Sequence, residues 1–170
     1  AFDAPAGVAA LDYWVSFVHT ERSALASPQA LDIFMAGNAG FFLDTSSKLG
    51  ALESRPNIKV RALPMPMGKE RVSLVAGTNL AVFSGKDAAH RAASVKLLEY
   101  LTSPSVQLTW SQGSGYVPVR QQALKQASYQ DFLKQKPNHA VALEQLKTAQ
   151  SLPEVAGWET VRGLLDDALL

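Results

Sequence analysis

The chain has 170 residues, 47% of them hydrophobic, and a net charge of +1. That is enough apolar material to bury a core in one domain or two small lobes. Lysine and arginine are scattered among acidic residues, which argues against a nucleic-acid-binding protein. No apolar run approaches the roughly 18 residues that a membrane span requires. Cysteine is absent, which excludes thiol catalysis, disulfides and cysteine metal sites but leaves the compartment undecided.

The first part of the chain predicts helices with one buried strand between them. Residues 3–5 (DAP) open a helix whose apolar positions recur every three to four residues, and residues 27–28 (SP) begin a shorter helix that ends at Gly37. The wholly apolar run 39–43 (AGFFL) is typical of a buried strand. Residues 44–47 (DTSS) offer several N-caps for the next short helix.

The middle of the chain predicts two further strands. Residues 58–63 (IKVRAL) alternate between apolar and polar side chains, and residues 64–68 then supply the prolines and glycine of a turn-rich linker. Residues 74–83 (LVAGTNLAVF) read as another strand, in which Gly77 marks a bulge or a close approach of backbone. Strands interleaved with helices predict an α/β architecture.

From Lys86 onward the pattern is mostly helical. Residues 88–101 predict one helix, and residues 103–104 (SP) supply the N-cap and first-turn proline of a second helix. The glycine-rich turn at 113–115 then places Tyr116 at an exposed corner before a proline-fixed segment. A tyrosine held in this way is a plausible ligand contact.

Both ends of the sequence predict a fragment. Residues 1–5 contain no signal peptide, since they lack a positively charged region followed by a long apolar stretch. Residues 161–170 repeat apolar positions at helical spacing and stop without a C-cap signal.

No catalytic constellation is present in the sequence. His19 is predicted on a helix, His90 on the exposed side of a helix and His139 in a loop, and none has a triad or metal-ligand spacing. Asp166 and Asp167 are neighbours on a helix and therefore point to different faces. The sequence also lacks a phosphate-cradling glycine loop of the P-loop or dinucleotide type.

Five short segments occur together in one order along almost the entire chain. They are FMAGNAGF at 34–41, VRALP at 60–64, GTNLAV at 77–82, the helix at 92–101 with Ser103-Pro104, and GYVPV at 115–119. In this succession the chain resembles the later half of extracytoplasmic solute-binding proteins of ABC importers. The resemblance is to the group that contains maltose-binding and glycerol-3-phosphate-binding proteins.

The resemblance implies a two-lobed α/β fold of the periplasmic-binding-protein type II class, with the ligand in the cleft and pieces of both lobes in this chain. Residues 1–62 and 119–170 would belong to the C-terminal lobe, and residues 72–115 to the N-terminal lobe. Residues 63–71 and 116–118 would be the hinges between them. A large N-terminal portion of the same protein would lie outside this chain.

The resemblance also implies a set of ligand-binding residues. Arg162 matches the ligand arginine of glycerol-3-phosphate-binding proteins, and a guanidinium offers two parallel donors that fit a phosphate. Ser46, with Thr45 beside it, and Gly77 match a ligand serine and a ligand glycine of that group. Tyr116 matches the family tyrosine after glycine and could bond a phosphate or a hydroxyl.

Each of these residues also has a purely structural interpretation. Arg162 could stack on the indole of Trp158 or pair with Asp166, because Arg–aromatic contacts are common. Ser46 could be a helix N-cap, and Gly77 could be a strand bulge.

The stretch at 41–44 (FFLD) departs from the phosphate-binding pattern of the family, in which the stretch before the binding helix is usually small and hydroxyl-rich. The carboxylate of Asp44 would repel a phosphate. A neutral sugar would accommodate it, since sugar hydroxyls donate to carboxylates and sugar rings stack on aromatic side chains. Asp44 could equally be an N-cap that points away.

The resulting prediction is the substrate-binding component of an ABC uptake transporter, not an enzyme, with glycerol-3-phosphate or a glycerophosphodiester as first ligand and a sugar or oligosaccharide as second. The predicted partners are that ligand, a membrane ABC permease and the missing N-terminal portion, without cofactor, metal or nucleic acid. The predicted location is periplasmic, or extracytoplasmic with a lipid anchor. Two rivals from other classes are a glycoside-processing enzyme using Asp44 and Glu159, and a helical interaction domain whose partner surface is the apolar helix at 161–169.

Overall fold

The computed structural model describes residues 3–84, 87–152 and 154–169. The chain divides into two compact units, one made of Ala1–Leu43 with Pro153–Leu170 and the other of Asp44–Leu152. Across the described ranges, no helix has both the length and the apolar character needed to cross a membrane.

Helices predominate in the described residues. In chain order they are α1 (Pro5–Val15), α2 (Ala30–Met35), α3 (Leu49–Glu53), α4 (Ala88–Leu101), α5 (Pro104–Ser114), α6 (Gln121–Leu124), α7 (Ala127–Gln135), α8 (Pro137–Gln145) and α9 (Trp158–Leu169). The strands are β1 (Ser73–Val75) and β2 (Ala149–Ser151). This confirms the helices predicted in the first part of the chain, at 88–101, after 103–104 and near the C-terminus. Lys86 and Leu170, which bound two of the predicted helical segments, lie outside the described residues.

The first unit begins with the helices that local signals predict. Pro5 occupies the first turn of α1, where its missing N–H costs nothing, and the helix continues into a π-helical turn over Ser16–Thr20. The helix α2 ends at Gly37, whose φ of +79° lies in the left-handed region that terminates helices.

The predicted strand at 39–43 is wrong. Every residue of this run is described and none lies in a strand. The side chain of Phe41 is 87% exposed, while Phe42 stacks on Phe34 of α2 with ring centroids 5.5 Å apart. An apolar run becomes a strand only when a neighbouring strand hydrogen-bonds to it, and this run has none among the described residues.

The second unit contains a short parallel pair of strands, with Ser73 opposite Ala149 and Val75 opposite Ser151. Of the strand predicted at 74–83, only Leu74 and Val75 lie in β1, so the prediction is wrong for residues 76–83. Gly77 lies beyond the strand and is not at a bulge. The polar sequence of β2 (AQS) gave no strand signal, because its place in the sheet depends on pairing with a distant segment.

The predicted strand at 58–63 is also wrong. No residue of this segment lies in a strand. Instead, the side chain of Asn138 accepts a hydrogen bond from the Ala62 N–H at 2.8 Å and donates one to the Val60 carbonyl at 3.2 Å. A single side chain thus satisfies the backbone groups that a neighbouring strand would otherwise satisfy.

The core of the second unit lies among its C-terminal helices. Leu108 of α5, Ala123 of α6 and Tyr129 and Leu133 of α7 are all buried and form one cluster. The hydroxyls of Tyr129 and Ser111 lie 3.2 Å apart within it. Burial raises the pKa of Tyr129, against the opposing effect of the hydrogen bond with Ser111, so the phenol stays neutral at physiological pH.

Candidate functional site

The Ser46 segment begins a short helical run. Ser46–Lys48 form a 3-10 turn that leads directly into α3, and the N-cap is Thr45 rather than Ser46. The Thr45 side chain makes no capping bond. Its hydroxyl lies 2.5 Å from that of Ser47, and its N–H donates to the Asp44 carboxylate at 2.6 Å. The N-cap interpretation of Ser46 is therefore wrong.

A glycine contact joins the Ser46 turn to the end of α5. Gly115 has a φ of +92°, and a Cβ at this position would collide with the Ser46 carbonyl and lie 3.0 Å from the Cβ of Leu49. A Cβ at Gly50 would collide with the Gly113 carbonyl in the same way. Only glycine permits both backbones to come this near, so these residues bring the chain next to Tyr116 against the Ser46 turn.

Tyr116 is half-buried, so the predicted exposed corner is wrong. Its ring lies 6.0 Å from that of Trp110 at an interplanar angle of 42°, which supplies a packing reason for an aromatic here. Its hydroxyl lies 3.4 Å from the Thr78 hydroxyl, a weak contact that leaves hydrogen-bonding capacity on both groups.

Gly77 directly precedes Thr78, the residue whose hydroxyl contacts that of Tyr116. A Cβ at Gly77 would meet no heavy atom within 4 Å, so the glycine is not required by packing in this unit. The second unit thus brings together three of the predicted positions, namely the Ser46 turn, the Gly77 segment and Tyr116.

Arg162 belongs to the first unit, on α9. Its Nη2 lies 2.9 Å from Oε2 of Glu159, one turn earlier, so the ion pair is with Glu159 and not with Asp166. Both side chains are more than half exposed, and a pair of this kind contributes little stability. The guanidinium therefore keeps donors for another anion. The indole N–H of Trp158 is buried and finds no hydrogen-bond partner in the described residues.

The histidines divide into exposed and buried cases. His90 lies on α4 with Nδ1 2.6 Å from the Asp87 carboxylate, and it is exposed as predicted. His139 was predicted in a loop, which is wrong, because it lies in α8 and is only 4% exposed. Pro137 at the first turn of α8 is the signal that could have identified this helix.

His139 belongs to a polar cluster that sequence reasoning missed. Its Nε2 lies 3.7 Å from Oε2 of Glu53, and the Lys136 ammonium lies 3.0 Å from the same oxygen. Asn138 donates to Oε1 of Glu53 at 2.9 Å. The four residues link α3 to the start of α8 across 85 positions of sequence.

Burial, hydrogen bonds and charges in this cluster shift two pKa values. Burial alone would raise the pKa of Glu53, but hydrogen bonds from Asn138 and Lys136 and the nearby positive charges outweigh it and lower the pKa. Burial lowers the pKa of His139 despite the carboxylate of Glu53 beside it. Glu53 is therefore ionised and His139 neutral at neutral pH.

Sequence comparison places related proteins outside the cytoplasm. Residues 1–141 match the model of the bacterial extracellular solute-binding protein family. The chain is 31% identical over 85 residues to the sn-glycerol-3-phosphate-binding periplasmic protein UgpB of Yersinia pestis, a match covering 50% of this chain and 19% of that protein. It is 26% identical over 107 residues to UgpB of Pectobacterium atrosepticum, a match covering 60% of this chain and 24% of that protein.

Two solved structures share the fold. UgpB of Mycobacterium tuberculosis, in complex with glycerophosphocholine, superposes with a TM-score of 0.87 at 22% identity, over 97% of this chain and 42% of that chain. The cyclic alpha-maltosyl-1,6-maltose binding protein of Arthrobacter globiformis superposes with a TM-score of 0.78 at 24% identity, over 99% of this chain and 43% of that chain. The predicted periplasmic-binding-protein-like α/β fold, present here as part of a longer structure, is confirmed. With the family model matching most of its length, the chain belongs to the bacterial extracellular solute-binding proteins.

Proposed function

We propose that this chain is part of the substrate-binding component of an ABC importer, with glycerol-3-phosphate or a glycerophosphodiester as its ligand. The observation that carries the proposal is the contact between Gly115 and the Ser46 turn, which groups Ser46, Gly77 and Tyr116 in one unit. The printed names of the UgpB relatives supply the ligand class.

The residue types fit a phosphorylated polyol. The Ser46, Thr78 and Tyr116 hydroxyls both donate and accept, as polyol hydroxyls require, and Gly77 leaves its backbone accessible. Arg162 would take the phosphate, because its ion pair with Glu159 is exposed and a phosphate offers it a bidentate partner. Thr45 would contribute its hydroxyl beside Ser46.

A sugar is the second candidate ligand, and two observations favour it. Asp44 is exposed at the start of the Ser46 turn, where it would face a phosphate unfavourably and a sugar hydroxyl favourably. Trp110 is 59% exposed beside Tyr116, and it lines a shallow groove of about 540 Å³ with Ser105, Thr109 and other residues of α4 and α5. Exposed aromatic rings next to hydroxyls suit a pyranose.

The mechanism would be capture without chemistry on the ligand. Residues 63–71 and 116–118 would act as hinges between a C-terminal lobe (1–62 and 119–170) and an N-terminal lobe (72–115). A ligand that contacts both lobes would shift an open–closed equilibrium toward the closed form. The closed form would then dock on the membrane permease. Further chain of the same protein would complete the N-terminal lobe, outside the cytoplasm and either free in the periplasm or lipid-anchored.

The experiment that tests this proposal measures glycerol-3-phosphate binding to the intact protein and to its Arg162→Gln variant. We expect the variant to lose affinity about 100-fold, since it removes a charge-assisted bidentate contact. The matched control is Arg91→Gln, an exposed arginine of α4, which makes the same charge change and should keep the native affinity. Equal losses in both variants would show that net charge, and not a phosphate contact, is responsible.

A further inference from the structure

We propose that Asn138 is a positioning residue that fastens the chain before the proposed hinge at 63–71 to the helical run 46–53, which begins at the proposed ligand residue Ser46. The inference rests on the proposed function, because it assigns a role to Asn138 in ligand-driven closure. Asn138 touches no predicted ligand-binding residue, so it would act only through the elements that it joins.

The contacts of Asn138 use nearly all of its side chain. The amide oxygen accepts from the Ala62 N–H at 2.8 Å, and the amide nitrogen donates to the Val60 carbonyl at 3.2 Å and to the Glu53 carboxylate at 2.9 Å. An asparagine offers two donors and one acceptor oxygen, so every donor is engaged. One half-buried side chain thus joins three separate parts of the second unit.

The hydrogen bonds from Asn138 to residues 60 and 62 replace those of a neighbouring strand. In an extended chain the polar backbone groups of residues two apart face the same edge. Asn138 pairs with a carbonyl and an N–H from those two residues, as a neighbouring strand would. The segment is thereby held up to Ala62, one residue before the predicted hinge begins.

The hydrogen bond from Asn138 to Glu53 fixes the end of the helical run 46–53. Glu53 is the last residue of α3, and its side chain is only 14% exposed, with Lys136, Asn138 and His139 around its carboxylate. The run from Ser46 through Glu53 is continuous helix, so fixing Glu53 fixes the direction of the Ser46 turn.

The consequence is a division between a fixed segment and a moving one. Residues up to Ala62 stay with α3 and α8 in both the open and the closed form, and at this crossing between the lobes bending is confined to residues 63–71. Without Asn138, residues 58–62 would share the bending and the Ser46 turn would lose its fixed direction. The ligand would then have to order both, which weakens binding.

The first test uses amide hydrogen exchange on the unmodified intact protein, with and without glycerol-3-phosphate, or with maltose if glycerol-3-phosphate does not bind. We expect the Ala62 amide to be protected equally in both conditions, while amides within 63–71 change their exchange when ligand is added. An Ala62 amide whose exchange changes with ligand as much as the hinge amides overturns the proposal. This test needs no variant to fold.

The second test compares Asn138→Ala and Asn138→Asp with Asn57→Ala, an exposed asparagine of the same unit. Both changes at Asn138 should weaken ligand binding about tenfold, which is the usual size of the effect when a mutated residue does not touch the ligand. Asn138→Ala should also increase hydrogen exchange at the Ala62 amide. Asn57→Ala should match the unmodified protein. Native affinity in a folded Asn138→Ala variant overturns the proposal. An unmodified protein that binds neither probe contradicts the proposed function itself.

Discussion

At the scale of single residues, the candidate site depends on Gly115. Two independent features require glycine at this position. Its φ is positive, and a Cβ here would collide with the Ser46 carbonyl. The geometry also explains why Tyr116 is half-buried, since the chain leaves α5 against another backbone and then meets Trp110. A motif of glycine followed by tyrosine therefore encodes a close approach between two segments.

The first prediction concerns Gly115→Ala. The variant should lower the free energy of unfolding by about 2 to 4 kcal/mol, because it combines left-handed strain with a collision against backbone. Ligand affinity should fall as well, since Tyr116 moves away from the Ser46 turn. Urea unfolding and a ligand titration of the intact protein measure both effects. Gly40→Ala, where a Cβ meets no atom within 4 Å and which lies outside the proposed hinges and site, is the matched control and should change neither.

The second prediction concerns the pH dependence of stability. His139 has a lowered pKa in the folded protein, so its contribution is fully present above its ordinary value of 6.5 and is lost as the pH falls below it. Glu53 also has a lowered pKa, and its contribution is lost at more acidic pH, below 4.5. The free energy of unfolding should therefore decrease between pH 7.5 and pH 5 through His139.

The control for this prediction is His139→Gln, measured in the same buffers. Glutamine cannot titrate, so the variant should be less stable at pH 7.5 and should show a shallower decrease toward pH 5. The charged and ring neighbours of His139 are Glu53, Lys136 and Phe132, and they are unchanged in the variant. A variant with the native slope would assign the pH dependence to other groups.

At the scale of elements, helices were predictable and strands were not. Pro5, Pro104 and Gly37 are local signals, and the helices that they mark begin or end where the sequence indicates. The strands predicted at 39–43 and 58–63 failed because strand formation depends on a partner, which a sequence pattern does not reveal.

The candidate site was predictable only in part, for the same physical reason. Family-like motifs marked Ser46, Gly77 and Tyr116, and the second unit does bring their segments together. The Glu53–Asn138 contact spans 85 residues and was missed, because nothing in the local sequence of either residue indicates the other. Long-range polar contacts of this kind follow from packing and not from periodicity.

The third prediction concerns the core that supports α5. Tyr129→Phe removes the buried hydroxyl 3.2 Å from Ser111 and leaves the ring packing intact. It should lower the free energy of unfolding by about 1 kcal/mol, the usual net value of such a bond. Urea unfolding measures the change, with Tyr100→Phe, an exposed tyrosine of α4, as the matched control. Equal stability of the two variants would show that the buried pair contributes nothing.

At the scale of the whole molecule, the chain matches only part of the length of its relatives. It covers 42% of the Mycobacterium tuberculosis structure, and its alignments span about a fifth of the length of the curated relatives that it matches. Ligand contacts from further chain would add to those proposed for Ser46, Gly77, Tyr116 and Arg162. The account therefore predicts affinity and closure for the intact protein, and it predicts no turnover of chromogenic glycosides.

The most direct test of the central claim is a calorimetric titration of the intact protein with glycerol-3-phosphate, set beside a titration with maltose. The account predicts saturable binding of one glycerol-3-phosphate per protein, weakened by raised salt because a charged contact contributes, and little heat from maltose. Binding of maltose in place of glycerol-3-phosphate would move the ligand to the sugar class. Binding of neither by the folded protein would contradict the proposal that this site captures a small polar solute.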